Sequence, residues 1–254
     1  MGRRLATALV LLVAAAAGSG CRPSTVDVAF TPTVGERYSY SYEVEATITQ
    51  SLDGADPTVT EIRTTLRADQ EVVEVSPGGV LAEVTLRRDG GAPRTAEVRL
   101  DRAGTLQGVD LIEGQPTDVF GLGDLGGVLP TAALPDGALA PGDRWAIDDE
   151  QVSGRGRLLR LGVIDGEDVA VVSSDVTQPV DETTPVGDTT AALEGDLRAT
   201  ATTAYDLRDG SLRRATTRAR GVVQARIAPP PGIDAGAVLG EITYDLRVRV
   251  TRLG

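Results

Sequence analysis

Residues 38–49 read Tyr38-Ser39-Tyr40-Ser41-Tyr42-Glu43-Val44-Glu45-Ala46-Thr47-Ile48-Thr49, an unbroken alternation. Tyr38, Tyr40, Tyr42, Val44, Ala46 and Ile48 are apolar or aromatic, and the residues between them are Ser, Glu or Thr. Successive side chains of a strand point to opposite faces, so a period of two places one set inside and the other in water. A helix would scatter both sets around its circumference. The stretch predicts a half-buried β-strand. Near the far end of the chain, residues 241–250 repeat the pattern: Ile242, Tyr244, Leu246, Val248 and Val250 share one side, Arg247 and Arg249 the other.

Similar runs fill the chain between these two, at 58–75, 80–86, 95–100, 158–164, 169–177, 197–207 and 212–227. Asp89-Gly90, Asp165-Gly166 and Asp209-Gly210 punctuate them. Asp-Gly supplies the positive φ that tight hairpins need, so neighbouring strands are expected to pair antiparallel. Two weakly repeated halves are visible, about 35–128 and 142–254. Gly35-Glu36-Arg37-Tyr38 opens one and Gly142-Asp143-Arg144-Trp145 the other. The strand and turn of 98–106 have a counterpart in 205–212, and the proline-containing segment 129–141 reads as a linker. Helical periodicity is confined to 117–129, where Val119, Phe120, Leu122, Leu125 and Val128 would form an apolar face. Four glycines there cost roughly 1 kcal/mol each against Ala, which limits it to a short helix or an apolar loop. The expected fold is mainly β: an antiparallel meander of about ten or eleven strands. Residues 35–254 form a single β-rich domain whose sheet curls into a half-barrel, because half a meander would leave its apolar face uncovered.

Ahead of the first strand stand Arg3-Arg4, an apolar run at 5–17, and Gly18-Ser19-Gly20-Cys21. Positive charge, a short apolar core and small residues make the three-part pattern of a secretory signal peptide over 1–20. A bilayer-spanning helix needs about 20 apolar residues, more than this run supplies. Ser19, Gly20 and Cys21 resemble the lipobox of bacterial lipoproteins, although Gly18 stands where that family most often has Leu. The resemblance implies cleavage between Gly20 and Cys21 and a diacylglyceryl group on the Cys21 thiol. Acyl chains such as palmitate, at roughly 0.8 kcal/mol per buried CH₂, would then hold the protein on a membrane. Residues 21–34, with Pro23 and Pro32, read as a lipidated tether, and the expected location is the extracytoplasmic face of the cell membrane. Export by the Sec route or by the twin-arginine route both fit Arg3-Arg4.

Composition narrows the function. All 25 basic residues are Arg, and Lys, His and Asn are absent. That bias resembles a GC-rich, actinobacterial genome. Without His or Lys, the commonest general base, the commonest metal ligand and Schiff-base chemistry are all missing. The single cysteine belongs to the lipobox, which removes a thiol nucleophile and a structural zinc site. The formal charge is −12, and −14 once residues 1–20 with their two arginines are removed. An acidic body lacks the basic footprint that nucleic acid requires. The acidic clusters Asp148-Asp149-Glu150, Asp165/Glu167/Asp168 and Asp181-Glu182 lack calcium-loop spacing, and eight aromatics are too few to line a sugar groove. They read as solvated turns and strand ends. No enzyme activity, no metal and no cofactor are expected.

The residues left as candidates for an apolar ligand or core face are Tyr38, Tyr40, Tyr42, Phe120, Trp145 and Tyr244. A tyrosine stripe reads first as core wall, since each buried hydroxyl needs only one partner. Pro229-Pro230-Pro231-Gly232-Ile233 reads as a stiff connection in polyproline form. Lipobox, strand count and body size together resemble the half-barrel lipoproteins, the lipoprotein carriers of Gram-negative bacteria and mycobacterial lipid-binding lipoproteins. The layout is also similar to actinobacterial lipoproteins with a mid-chain Pro-Gly-Asp-Arg-Trp, here Pro141-Gly142-Asp143-Arg144-Trp145. This resemblance implies a lipid or other apolar ligand held in the hollow of the sheet. The alternative reading is a structural or protein-interaction lipoprotein of the cell envelope.

Overall fold

The computed structural model describes residues 25–88, 90–101, 106–112, 134–148, 152–186, 189–229 and 236–254. They form one eleven-stranded antiparallel sheet. The strands are β1 (Arg37–Leu52), β2 (Thr58–Ser76), β3 (Gly79–Arg88), β4 (Arg94–Leu100), β5 (Leu106–Ile112) and β6 (Arg144–Asp148). They continue with β7 (Ser153–Ile164), β8 (Glu167–Val186), β9 (Thr189–Asp206), β10 (Leu212–Ile227) and β11 (Val238–Leu253). Spatial order is β5-β4-β3-β2-β1-β11-β10-β9-β8-β7-β6. The first and last strands therefore pair in the interior of the sheet, while β5 and β6 are its edges.

Alternation carries across the whole sheet because each pairing keeps like faces together. Tyr42 lies opposite Val250 and Leu66, Val44 opposite Val248, Ala46 opposite Leu246, and Ile48 opposite Tyr244. From β11 the same face runs through Ala215, Ala219 and Val223 of β10 to Ala199 and Leu197 of β9. One core cluster joins Phe30 with Val80, Leu100, Ala68, Tyr38, Val250 and Ala215, which come from six strands.

Turn chemistry agrees with the sequence at one Asp-Gly pair and differs at another. Asp165 (φ 53°) and Gly166 (φ 88°) form a two-residue hairpin between Ile164 and Glu167. Residues 207–211 instead make a wider loop, in which the Asp206 amide donates to Ser211 O and the Gly210 amide to Asp206 O. The aspartates explain the difference. Asp206 Oδ1 accepts from the Arg208 amide and Asp209 Oδ1 from the Ser211 amide, each 2.9 Å, so the carboxylates turn inward to cap the loop.

Residues 25–34, expected to be part of a free tether, belong to the body. Val26, Val28 and Phe30 are buried. Val26 pairs with Leu139, the Thr31 amide donates to Asp209 O, and the Gly35 amide donates to Val72 O. The segment runs as a strap along the end of the sheet where β1 starts and β11 ends, from a cluster around Leu158 and Tyr205 to the Phe30 cluster. Leu134 and Leu139, inside the expected linker, pack on the first of these. The physical reason is the alternation Val26, Val28, Phe30: three apolar side chains on one side of an extended segment are worth burying. Residues 1–24, the segment 117–129 and Pro230–Ile233 lie outside the described residues.

Candidate functional site

The sheet has a packed end and an open end. At the packed end lie the strap, Tyr38, Tyr40, Val72, Val248 and Val250, all buried. Toward the other end β1, β2, β8, β9, β10 and β11 run on, and their apolar face becomes half-buried: Val44, Ala46 and Ile48 on β1, Leu246, Tyr244 and Ile242 on β11, Leu197 on β9. From Tyr42 to Gln50 this face extends ~26 Å at strand rise. On β10 and β9 the same face is buried at Ala219, Val223, Ala225, Ala199 and Ala191, with Val176 and Leu246 packed against Ala199 and Ala219. The β9–β10 floor is built from small residues. Gly195 and Gly221 each lie so close to the neighbouring strand that a Cβ would collide with its backbone, which marks sharp local bending. This half-buried apolar face, bordered at one end by the strap, is the trough.

The tyrosine stripe is divided between the two ends. Tyr38 is 1 % and Tyr40 6 % exposed, and both are core. Their rings stack 6.5 Å apart, Phe30 tilts on Tyr38 at 5.9 Å, and Tyr42 meets Tyr40 edge-on at 6.4 Å. Tyr42 is half-buried and begins the trough wall. Tyr244, opposite Ile48, stands six residues farther along, roughly 20 Å away. Burial pushes the phenol of Tyr42 up to about 12. Burial also raises Tyr38, Tyr40 and Tyr205, with the nearby Asp209 carboxylate adding to the effect at Tyr38. These phenols stay neutral and serve as wall. Trp145 lies apart from the others, half-buried beside Leu158 near the β6 edge. It pairs across the ladder with Gly156, where any Cβ would strike the indole, so the ring lies over the glycine. Phe120, Gly20 and Cys21 lie outside the described residues. The structure thus groups Tyr38, Tyr40 and Tyr42, sets Tyr244 in the open trough and keeps Trp145 at a distance.

A polar network that the sequence did not announce locks the packed end. Arg213 occupies a bulge between Leu212 and Arg214, which turns its side chain away from the regular alternation. Its Nε and Nη2 donate to Asp206 Oδ2 at 2.9 and 2.7 Å. Arg252 Nη1 donates to Ser211 Oγ at 2.6 Å and lies 3.8 Å from Asp206 and 4.0 Å from Asp209. Its guanidinium covers the Tyr38 ring at 4.7 Å, while Tyr38 OH donates to Asp209 Oδ2 at 3.3 Å. Burial alone would raise the Asp206 pKa. The Arg208 amide and Arg213 outweigh it and hold the carboxyl below its usual value. Every charged group here is turned on another protein group, so the network is a structural lock with no free nucleophile or base. The only sequence signal was the pair of aspartates flanking Leu207-Arg208, which also suits an exposed turn.

The acidic clusters do not converge. Asp165 and Glu167 face Arg214 and Arg213, Asp181 and Glu182 are exposed, and Asp149 and Glu150 lie outside the described residues. Among the described residues no group of three or more carboxylates is placed to hold a metal ion, and no helix is long and apolar enough to cross a membrane.

No family model and no curated protein matches the chain. Among solved structures it is similar to OmpT, an outer membrane protein of Vibrio cholerae in its in-vitro folded trimer form. That match has 10% identity and a TM-score of 0.22, covering 85% of this chain and 100% of that one. A loop L8 deletion mutant of OmpT gives 8% identity and a TM-score of 0.19, covering 85% and 99%. Scores of that size carry no argument about fold or function.

Proposed function

We propose that the protein is an exported lipoprotein, anchored by acyl chains on Cys21 to the extracytoplasmic face of the cell membrane. There it holds a lipid or another apolar ligand in the trough without catalysing a reaction. The observation that carries this reading is the apolar face at Val44, Ala46, Ile48, Tyr244 and Leu246, which continues past the core and stays half-buried among the described residues. An open apolar surface of this length costs solvation free energy, at roughly 25 cal/mol per Å², unless something covers it. The opposite face carries ion pairs such as Glu43–Arg249 and Asp245–Arg220. Attachment in this reading rests on the anchor alone.

Native mass spectrometry of protein extracted in a mild non-ionic detergent tests the reading. A co-purifying amphiphile is expected, and Ala46→Glu, which puts a charge on the trough wall, should release it while leaving the fold intact. Wild-type protein that carries no amphiphile, and that fails to take up a fluorescent fatty-acid analogue, would end the proposal. The edge strands β5 and β6, each paired on one side only among the described residues, favour the second reading, an envelope protein that docks a partner. Crosslinking in intact cells that captures a reproducible protein through these edges, with an empty trough, would support it instead.

A further inference from the structure

The polar face of the sheet holds a hollow of its own, about 410 Å³, across the middle of β2, β1, β11 and β10. It is lined by Arg63, Arg218, Arg220 and Arg247 and by Glu45, Glu61 and Asp245, which leaves one positive charge in excess. That sign is opposite to the chain's net charge of −12. Arg220 is committed to Asp245 at 3.0 Å. Arg218 and Arg247 sit directly opposite each other on β10 and β11, and neither has an ion-pair partner among the described residues. Like charges at facing positions repel; Glu45 stands across from Arg247 on β1, but among the described residues no carboxylate forms an ion pair with either arginine. Arg247 Nε is moreover buried without a hydrogen-bond partner among the described residues, a donor free for a ligand.

We propose that this hollow binds a single phosphate diester, held between the guanidinium groups of Arg218 and Arg247. A diester has two non-bridging oxygens that diverge from one phosphorus, one for each guanidinium fork. Its charge of minus one cancels the surplus of the hollow. Glu45 and Glu61 repel a dianionic monoester, and the acidic body repels a polyanion. The charged groups of the site lie on the polar face of the sheet, and Ala46 and Ile62 also line it.

Titration calorimetry on the full chain in non-ionic detergent tests the site with two probes. Glycerophosphoglycerol presents the diester alone, and dihexanoyl phosphatidylglycerol presents it as a lipid headgroup. Saturable binding of at least one probe is expected, weakened about tenfold or more by either Arg218→Gln or Arg247→Gln. Arg226→Gln, on the same strand but outside the hollow, should bind like wild type. Tighter binding of the acylated probe would assign the site to a lipid headgroup, and equal binding to a free diester. The unliganded Arg218→Gln protein should unfold no earlier than wild type, because the substitution removes a repulsion; that separates loss of the site from loss of the fold. Absence of saturable binding by both probes, or an equal loss in Arg226→Gln, would overturn the proposal.

Discussion

Replacing Asp206 by Ala removes the carboxylate on which the packed end converges. Its side chain is 2 % exposed and that of Arg213 14 %, so little water reaches the pair. Both Arg213 bonds fall on Oδ2, at 2.9 and 2.7 Å, and Arg252 stands 3.8 Å away. Breaking a buried ion pair from one side typically costs about 3–5 kcal/mol, because the remaining charge stays buried. Glu167, 3.3 Å from Arg213, and Asp209, 4.0 Å from Arg252, supply partial substitutes and place the expected loss near ~3 kcal/mol, the lower end of that range. For a body of this size that lowers the melting midpoint by roughly 6–12 °C. Asp206→Asn keeps an acceptor for the Arg208 amide and loses only the charge, so about 2 kcal/mol is expected. Thermal unfolding followed by far-UV circular dichroism reads both. The pH dependence fixes the mechanism. A folded-state pKa below the ordinary 3.8 means that the unfolded chain binds the proton more readily. The stability from Asp206 is then fully present above the ordinary value and is lost as pH falls through the folded one. The gap between wild type and Asp206→Asn should therefore close on acidification. A loss under ~1 kcal/mol for Asp206→Ala, or a gap that persists unchanged at about pH 2, would refute the lock.

Two further outcomes follow from the packing. Phe30→Ala removes a buried ring from the six-strand cluster and should cost about 3–5 kcal/mol in urea unfolding, where a free tether would cost nothing measurable. Gly156→Ala would push the Trp145 indole off β7, so the emission of the single tryptophan should shift to the red while the far-UV spectrum keeps its β signature.

Much of the sheet was legible because a period of two is a local property. Residues 212–227 were expected as a strand and are β10 without change, and 38–49 grew only to Arg37–Leu52. Two strands escaped for local reasons. β5, Leu106–Ile112, interrupts its alternation with Gly108 and Asp110, and β6, Arg144–Asp148, has only five residues after Pro141-Gly142. Half of the candidate site was legible in the same way. Tyr38, Tyr40, Tyr42 and Tyr244 were marked together as ligand or core face, and the sequence could not separate Tyr38 and Tyr40, which are core, from Tyr42 and Tyr244, which are half-buried.

What the sequence determined by itself was which side of each strand is apolar, the antiparallel sense of neighbouring strands, and the absence of histidine and lysine chemistry. Those properties are written in residue types and short spacings. The tertiary structure decided what depends on residues far apart in the chain. Strands near the two ends of the chain pair in register, Tyr42 on Val250, and so join their apolar faces into one. The strap at 25–34 joins the sheet because Phe30 packs on Tyr38 in a cluster whose other members come from six strands. Asp206 and Asp209 become buried partners of Arg213, Arg252 and Tyr38 for the same reason. A carboxylate beside a turn looks the same in sequence whether it faces water or an arginine brought to it from the far end of the chain.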